Sequence, residues 1–307
     1  MTHPTPAVLL ANVTKSFGKL KAVDDLSLIV PGGSIYGFIG PNGSGKTTTL
    51  RMILHIFHPD QGRVEVLGET TTRAANDRIG YLPEERGLYK KMTVRRVLIY
   101  YAALKGMRGE PAREAVDLWL KRMELQSWAN RKVEELSKGM AQKIQFISAV
   151  IARPKMVILD EPFSGLDPVN LEVVRSAILD LRRDGVTVIF STHDMNMAET
   201  MCDFIMMIYK GRKVLDGTLD SIQAQYGKDT IRLRVAGGTE QLQAIPGIRA
   251  LRNLGQYQEV QYDGDPQDFL RTLMARTRVE LFEITRPSLH DIFVRIAGPG
   301  EKEAAHG

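Results

Sequence analysis

The most informative stretch of the chain is Gly40-Pro41-Asn42-Gly43-Ser44-Gly45-Lys46-Thr47. It fits G-x-x-x-x-G-K-[ST] and follows Ser34–Ile39, an apolar run that reads as a buried strand. Three glycines let successive backbone N–H groups turn inward around a chain of phosphates. Lys46 then reaches the β- and γ-phosphates, and the Thr47 hydroxyl can hold Mg²⁺. Nucleoside triphosphate binding is the reading, with Gly40 through Thr48 as the binding residues.

Other short apolar runs support a parallel sheet. Met156–Leu159 ends at an acidic pair, and Val186–Phe190 ends at Ser191-Thr192-His193. Neither alternates with period two, as expected of strands covered on both faces. Ala7–Phe17 and Val23–Val30 alternate better and predict an antiparallel sheet beside the main one. From Thr93 to about Ile151 the spacing turns helical, with Leu98, Tyr101, Leu104, Leu118 and Leu120 set among charges. The expected fold is α/β: a P-loop NTPase core with an N-terminal antiparallel β subdomain and a helical insertion over about 88–152.

After about Gln225 the pattern changes. Strand-like Ile231–Val235, a short helix near Gln241–Ile245, strands near Ile248–Leu254 and Glu259–Tyr262, helical Phe269–Met274, a strand near Val279–Ile284 and a helix opened by Ser288 follow in turn. That order, β-α-β-β-α-β, predicts a small α+β domain of ferredoxin-like type. The expected divisions are 1–224, 225–298 and a frayed tail at 299–307.

Composition excludes more than it selects. With 307 residues, 43% hydrophobic and 25% charged, the chain is ordinary globular material and long enough for two domains. One cysteine, Cys202, excludes a disulfide framework and a cysteine-rich metal site, and fits a reducing compartment. Without a flanking basic cluster it reads as an inert thiol. No apolar run approaches the roughly 18 residues of a membrane span, and the first residues show no signal pattern, so a cytosolic protein is expected. The net charge of +5 is too small and too dispersed to indicate nucleic acid. His55 and His58 stand three apart with no third ligand in view.

The chemistry lies downstream of the phosphate loop. In Val157-Ile158-Leu159-Asp160-Glu161-Pro162 two carboxylates follow a buried strand. Strand neighbours point to opposite sides, so the two differ in role: Asp160 approaches the Mg²⁺ shell and Glu161 faces the attacking water as general base. Leu136-Ser137-Lys138-Gly139-Met140 opens a helix at which Ser137 and the Gly139 amide could bind an anion. Ser164-Gly165-Leu166-Asp167 follows the acidic pair. Ser191-Thr192-His193-Asp194 places an imidazole at the carboxyl edge of the sheet, where ligands bind.

In these motifs, their order and their spacing, residues 7–220 resemble the nucleotide-binding subunit of an ABC transporter. The resemblance implies an ATPase using ATP and Mg²⁺, with two copies stacked head to tail around two ATP molecules. Ser137 and Gly139 of one copy would touch the γ-phosphate held by Lys46 of the other, Asp167 would bridge the interface, and His193 would contact the γ-phosphate. Phe17 falls where the family stacks an aromatic ring on adenine. Three positions depart from the common pattern: Lys138 replaces a glycine, Met140 a glutamine, and Glu84 the usual glutamine that meets Mg²⁺ or water.

Tyr81–Tyr89 and Pro287-Ser288-Leu289-His290-Asp291-Ile292-Phe293 resemble a narrower group, bacterial exporter ATPases of the sodium-extrusion and drug-export type, which carry a small C-terminal domain. This implies a separate integral membrane permease, a groove near residues 88–92 for its coupling helix, and a peripheral location on the cytoplasmic face of the membrane. A soluble ABC-type ATPase acting on nucleic acid or ribosomes is the alternative. Such proteins usually carry two cassettes, coiled-coil insertions or zinc modules, and this chain has one cassette and neither insertion. A regulatory module with little turnover is disfavoured by intact Glu161 and His193.

Overall fold

The computed structural model describes residues 6–70, 77–85, 87–226, 230–243 and 245–298. The expected tail at 299–307, the N-terminal Met1–Thr5 and Arg86 lie outside the described residues. The chain divides into two compact units, Met1–Thr218 and Leu219–Gly307.

The first unit opens with β1 (Pro6–Phe17) and β2 (Leu20–Pro31), paired antiparallel. β3 (Ile35–Ile39) runs into the phosphate loop and α1 (Lys46–Ile53). β4 (Gln61–Val66) returns to the other edge of β1, giving a three-stranded sheet of order β2-β1-β4. β5 (Ile79–Leu82) leads to the helical segment α2 (Val94–Leu104), α3 (Glu110–Arg122) and α4 (Lys138–Val150). Then come β6 (Met156–Asp160), α5 (Pro168–Arg183), β7 (Thr187–Thr192), α6 (Met195–Met201), β8 (Phe204–Tyr209) and β9 (Arg212–Gly217).

The main sheet has the order β5-β6-β7-β3-β8-β9, parallel except for the last pair. Every residue of β3, β6 and β7 is buried, which explains their unbroken apolar runs. One core lies toward the antiparallel sheet and α1, with Leu10, Leu26, Phe38, Leu50, Ile158 and Ile189. The other lies beneath the helical segment, with Leu82, Leu98, Leu120, Phe146, Leu159 and Phe190. Two members of the helical pattern do not join it, because Leu104 and Leu118 remain exposed. The consequence for function is at one edge: the carboxyl ends of β3, β5, β6 and β7 lie side by side.

The second unit comprises α7 (Leu219–Gln225), β10 (Thr230–Val235), α8 (Glu240–Gln243), β11 (Ile248–Asn253), β12 (Gln258–Tyr262), α9 (Pro266–Arg276), β13 (Val279–Thr285) and α10 (Leu289–Ala297). Its sheet order, β11-β12-β10-β13, is antiparallel throughout and is that of a ferredoxin-like β-α-β-β-α-β unit. Ile231, Leu233, Val260, Phe269 and Leu273 form its core. Phe269 stacks on Tyr262 with ring centroids 4.4 Å apart.

Candidate functional site

The phosphate loop is shaped by two glycines that no other residue could replace. Gly40 has φ 147°, and a Cβ there would meet the Ile208 carbonyl oxygen at 2.2 Å. Gly45 has φ 113°, and its Cβ would meet the Ala22 carbonyl oxygen at 2.5 Å. Gly45 also caps α1 without a side-chain hydrogen bond, so the first amides of that helix keep their donors for a ligand. Lys46 is almost buried, and its Nζ donates to the carbonyls of Gly40 at 2.7 Å and Pro41 at 3.1 Å. Burial pulls its ammonium below the ordinary lysine range, opposed by the carboxylates of Glu161, Asp160 and Glu84.

Those carboxylates share a cavity with the loop. About 470 Å³ in volume, it is lined by Phe17, Leu20, Ala22, Asn42, Gly43, Gly45, Lys46, Thr47, Thr48, Glu84, Asp160 and Glu161. Gly40, Pro41 and Ser44 belong to the same turn without lining the space. Ser44 Oγ is buried and has no hydrogen-bond partner.

Asp160 ends β6, opposite Ser191 in the pairing with β7. The Ser191 hydroxyl donates to Asp160 Oδ1, while Oδ2 is buried and unpartnered. A buried carboxylate oxygen without a donor suits a hard cation. Among the described residues no cluster of three or more His, Cys, Asp or Glu could hold a metal by itself. Mg²⁺ nevertheless fits this donor set, because it keeps several waters and is commonly held by one or two side chains plus substrate phosphates.

Glu161 differs from its expected geometry. The strand ends at Asp160, and Glu161 is left-handed with φ 50°, so strand alternation alone does not separate the two carboxylates. Its amide donates to Ser191 Oγ at 3.1 Å and to the Ser191 carbonyl at 3.2 Å, which holds this uncommon backbone in place. His193 Nδ1 lies 2.9 Å from Glu161 Oε1, joining the imidazole to the cavity through the carboxylate.

Three expected residues stand apart: Ser137, Gly139 and Asp167 do not line this cavity. Ser137 caps α4, its Oγ accepting from the Met140 amide at 3.2 Å, and it is exposed. Asp167 caps α5 through the amides of Val169 and Asn170 and is also exposed. Hydrogen bonds from the Asn170 amide and side chain, with help from the Val169 amide, hold its carboxyl below the usual carboxylate range.

Sequence reasoning missed Leu20 and Ala22 in the cavity wall, the Ser191 hydroxyl, and two glutamines of α4. Gln142 Nε2 donates to the Pro162 carbonyl at 3.1 Å, and Gln145 Nε2 to those of Pro83 and Glu85. Ser191 sat inside a quoted motif, but its meeting with Asp160 depends on strand register. The glutamines carried no spacing signal.

A parallel sheet with a phosphate-cradling loop after one strand and an acidic pair after another defines a P-loop nucleoside triphosphatase. A family model described as ABC transporter matches residues 23–164, and one described as the C-terminal domain of DrrA1-3-like ATP-binding proteins matches residues 217–297. The uncharacterized ABC transporter ATP-binding protein YhaQ of Bacillus subtilis is 42% identical over 289 residues, 94% of this chain and 97% of that protein. Nod factor export ATP-binding protein I of Sinorhizobium fredii is 33% identical over 302 residues, 97% of this chain and 88% of that one.

Among solved structures, an ATP-binding subunit of an ABC transporter superposes with a TM-score of 0.67 at 27% identity, covering 72% of this chain and 93% of that chain. The cassette MJ0796, solved as a dimer in a post-hydrolysis state with ADP and Pi, superposes with a TM-score of 0.64 at 28% identity, covering 69% and 98%. The chain belongs to the ATP-binding proteins of ABC transporters, and it is an ATPase of that family.

Proposed function

We propose that this chain is the ATP-hydrolysing subunit of an exporter, and that two copies close head to tail around two ATP molecules to drive a separate integral membrane permease. One observation carries the reading. Lys46, Glu84, Asp160 and Glu161 share a cavity, whereas Ser137, Gly139 and Asp167 of the same chain do not line it. A second copy would bring Ser137 and Gly139 to the γ-phosphate, with Asp167 bridging the two chains.

Within the closed pair Lys46 would exchange its carbonyl partners for β- and γ-phosphate oxygens, and the free amides of α1 would complete the cradle. Phe17, 44% exposed, offers its ring to adenine. Thr47 and Asp160 would hold Mg²⁺, with Glu84 as a further ligand or water-orienting group. Bound there, the cation neutralises charge on the phosphates. Glu161 would take the proton of the attacking water, and His193 would steady that carboxylate and reach the γ-phosphate.

A groove of about 340 Å³ between β5, α2 and α4, lined by Tyr81, Pro83, Leu88, Tyr101, Leu104 and Gln145 among others, supports a permease contact. Beside it Tyr89 and Tyr100 are exposed, with ring centroids 5.4 Å apart. Among the described residues no helix is long and apolar enough to cross a membrane. As in the family, the protein would sit on the cytoplasmic face of the membrane, held there by its partner. The relatives named for Nod factor export support the direction of transport.

Purification of the tagged protein from its native membranes in mild detergent tests this. A stoichiometric polytopic partner is expected. Recovery with soluble protein or RNA only, and absence from the membrane fraction, would contradict it.

A further inference from the structure

Gln145 stands two turns into α4 and is 4% exposed. Its Nε2 donates to the Pro83 carbonyl at 3.0 Å and to the Glu85 carbonyl at 3.1 Å. Both neighbours are acceptors, so the amide nitrogen must face them, and Oε1 is left buried without a partner. The two carbonyls bracket Glu84, whose side chain lines the nucleotide cavity.

A backbone segment after a strand has no ladder to hold it, and here a side chain from another element supplies the missing donors. One turn earlier on the same helix, Gln142 donates to Pro162, the residue after Glu161. The two glutamines therefore grip the two segments that carry carboxylates into the cavity. Gln145 leaves Oε1 unsatisfied in doing so, whereas an apolar side chain of similar length would leave both carbonyls without this donor.

We propose that Gln145 is a positioning residue for Glu84, fixing where that carboxylate stands against the metal and water of the nucleotide site. The proposal rests on the reading of Glu84 given above. Groups that orient a ligand without touching the metal typically change affinity or activity by about 10–100-fold when removed.

The test uses the full-length chain. Gln145→Met keeps length and helix preference but has no donor. Its ATP turnover is expected to fall about tenfold, and the Mg²⁺ concentration for half-maximal turnover to rise about tenfold. Binding of a fluorescent ATP analogue in EDTA should not change, since Lys46 and the loop amides are untouched. The double variant Gln145→Met/Glu84→Ala should be no slower than Glu84→Ala alone, because the first change acts through the second residue.

Losses that multiply, or a lowered melting point with an unmoved Mg²⁺ midpoint, would show a structural role only and overturn the proposal. If Glu84→Ala alone matches the parent in turnover and Mg²⁺ dependence, the reading of Glu84 has failed and the tie has nothing to act on. Should Gln145→Met not fold, Gln145→Ala, which admits water to the two carbonyls, is subject to the same readings.

Discussion

The two units place their unpartnered polar atoms differently. In the first, Ser44 Oγ and Asp160 Oδ2 are buried and unpartnered at the phosphate loop and the acidic pair, beside a cavity of about 470 Å³. In the second, Arg232 Nε and Gln258 Oε1 are buried and unpartnered too, but neither lines the small cavity of that unit, and Arg232 lies 3.7 Å from Glu259, 3.8 Å from Glu283 and 4.6 Å from the Tyr257 ring. That cavity, of about 20 Å³ beside Arg252, Glu259, Asp291 and Arg295, has room for little more than a water. Density of charge does not make a site. An unpartnered carboxylate oxygen on a residue that lines open space, as at Asp160, does.

The largest expected effect falls on the first unit alone. Removing a general base typically costs about 10²–10⁴ in rate. Glu161→Gln should therefore bind ATP yet hydrolyse it at that much lower rate, as single-turnover kinetics would measure. Near-parental turnover would remove Glu161 from the role.

Phe269→Ala addresses the other side of the contrast. Emptying that fully buried site should destabilise the second unit by about 3–5 kcal/mol. Denaturant melts followed by hydrogen exchange would locate the loss, and ATP turnover should stay near parental. A parallel fall in turnover would mean that the second unit takes part in catalysis.

Lys46→Ala should weaken ATP binding by about 10–100-fold, the worth of a charged hydrogen bond of about 1.5–3 kcal/mol. Equilibrium titration with a fluorescent nucleotide reads this directly, and unchanged affinity would contradict the phosphate-loop role. The smallest effect concerns Asp167. Its folded pKa lies below the ordinary carboxylate value, so the stability it adds is present above about pH 4 and is lost as pH falls through the folded value. Asp167→Asn keeps a good cap but not the titration. Its melting point should depend less on pH in the acid range, and an identical profile would argue against the lowered pKa.

Much of the first unit could be read from sequence because its signals are local. A glycine loop after an apolar run, and two acids after another, need only a few consecutive residues to be recognised. The β-α-β-β-α-β order of the second unit was legible for the same reason. What sequence hid was long-range or conformational. Ser191 meets Asp160 only through the register of β6 and β7, and Glu161 leaves the strand path because Ser191 holds its amide. Gln145 reaches carbonyls 60 and 62 residues away, and carbonyls carry no residue code. Leu104 and Leu118 shared the spacing of Leu98 and Leu120, yet remain exposed, because a helix pattern reports a face and not what covers it.

In the proposed pair, one chain holds half of each nucleotide site. Light scattering on full-length Glu161→Gln, with and without Mg²⁺ and ATP, tests it most directly. The expected mass is that of one chain without nucleotide and of two with it, and of one chain in all conditions once Lys46→Ala is added. A mass that does not respond to ATP would contradict it.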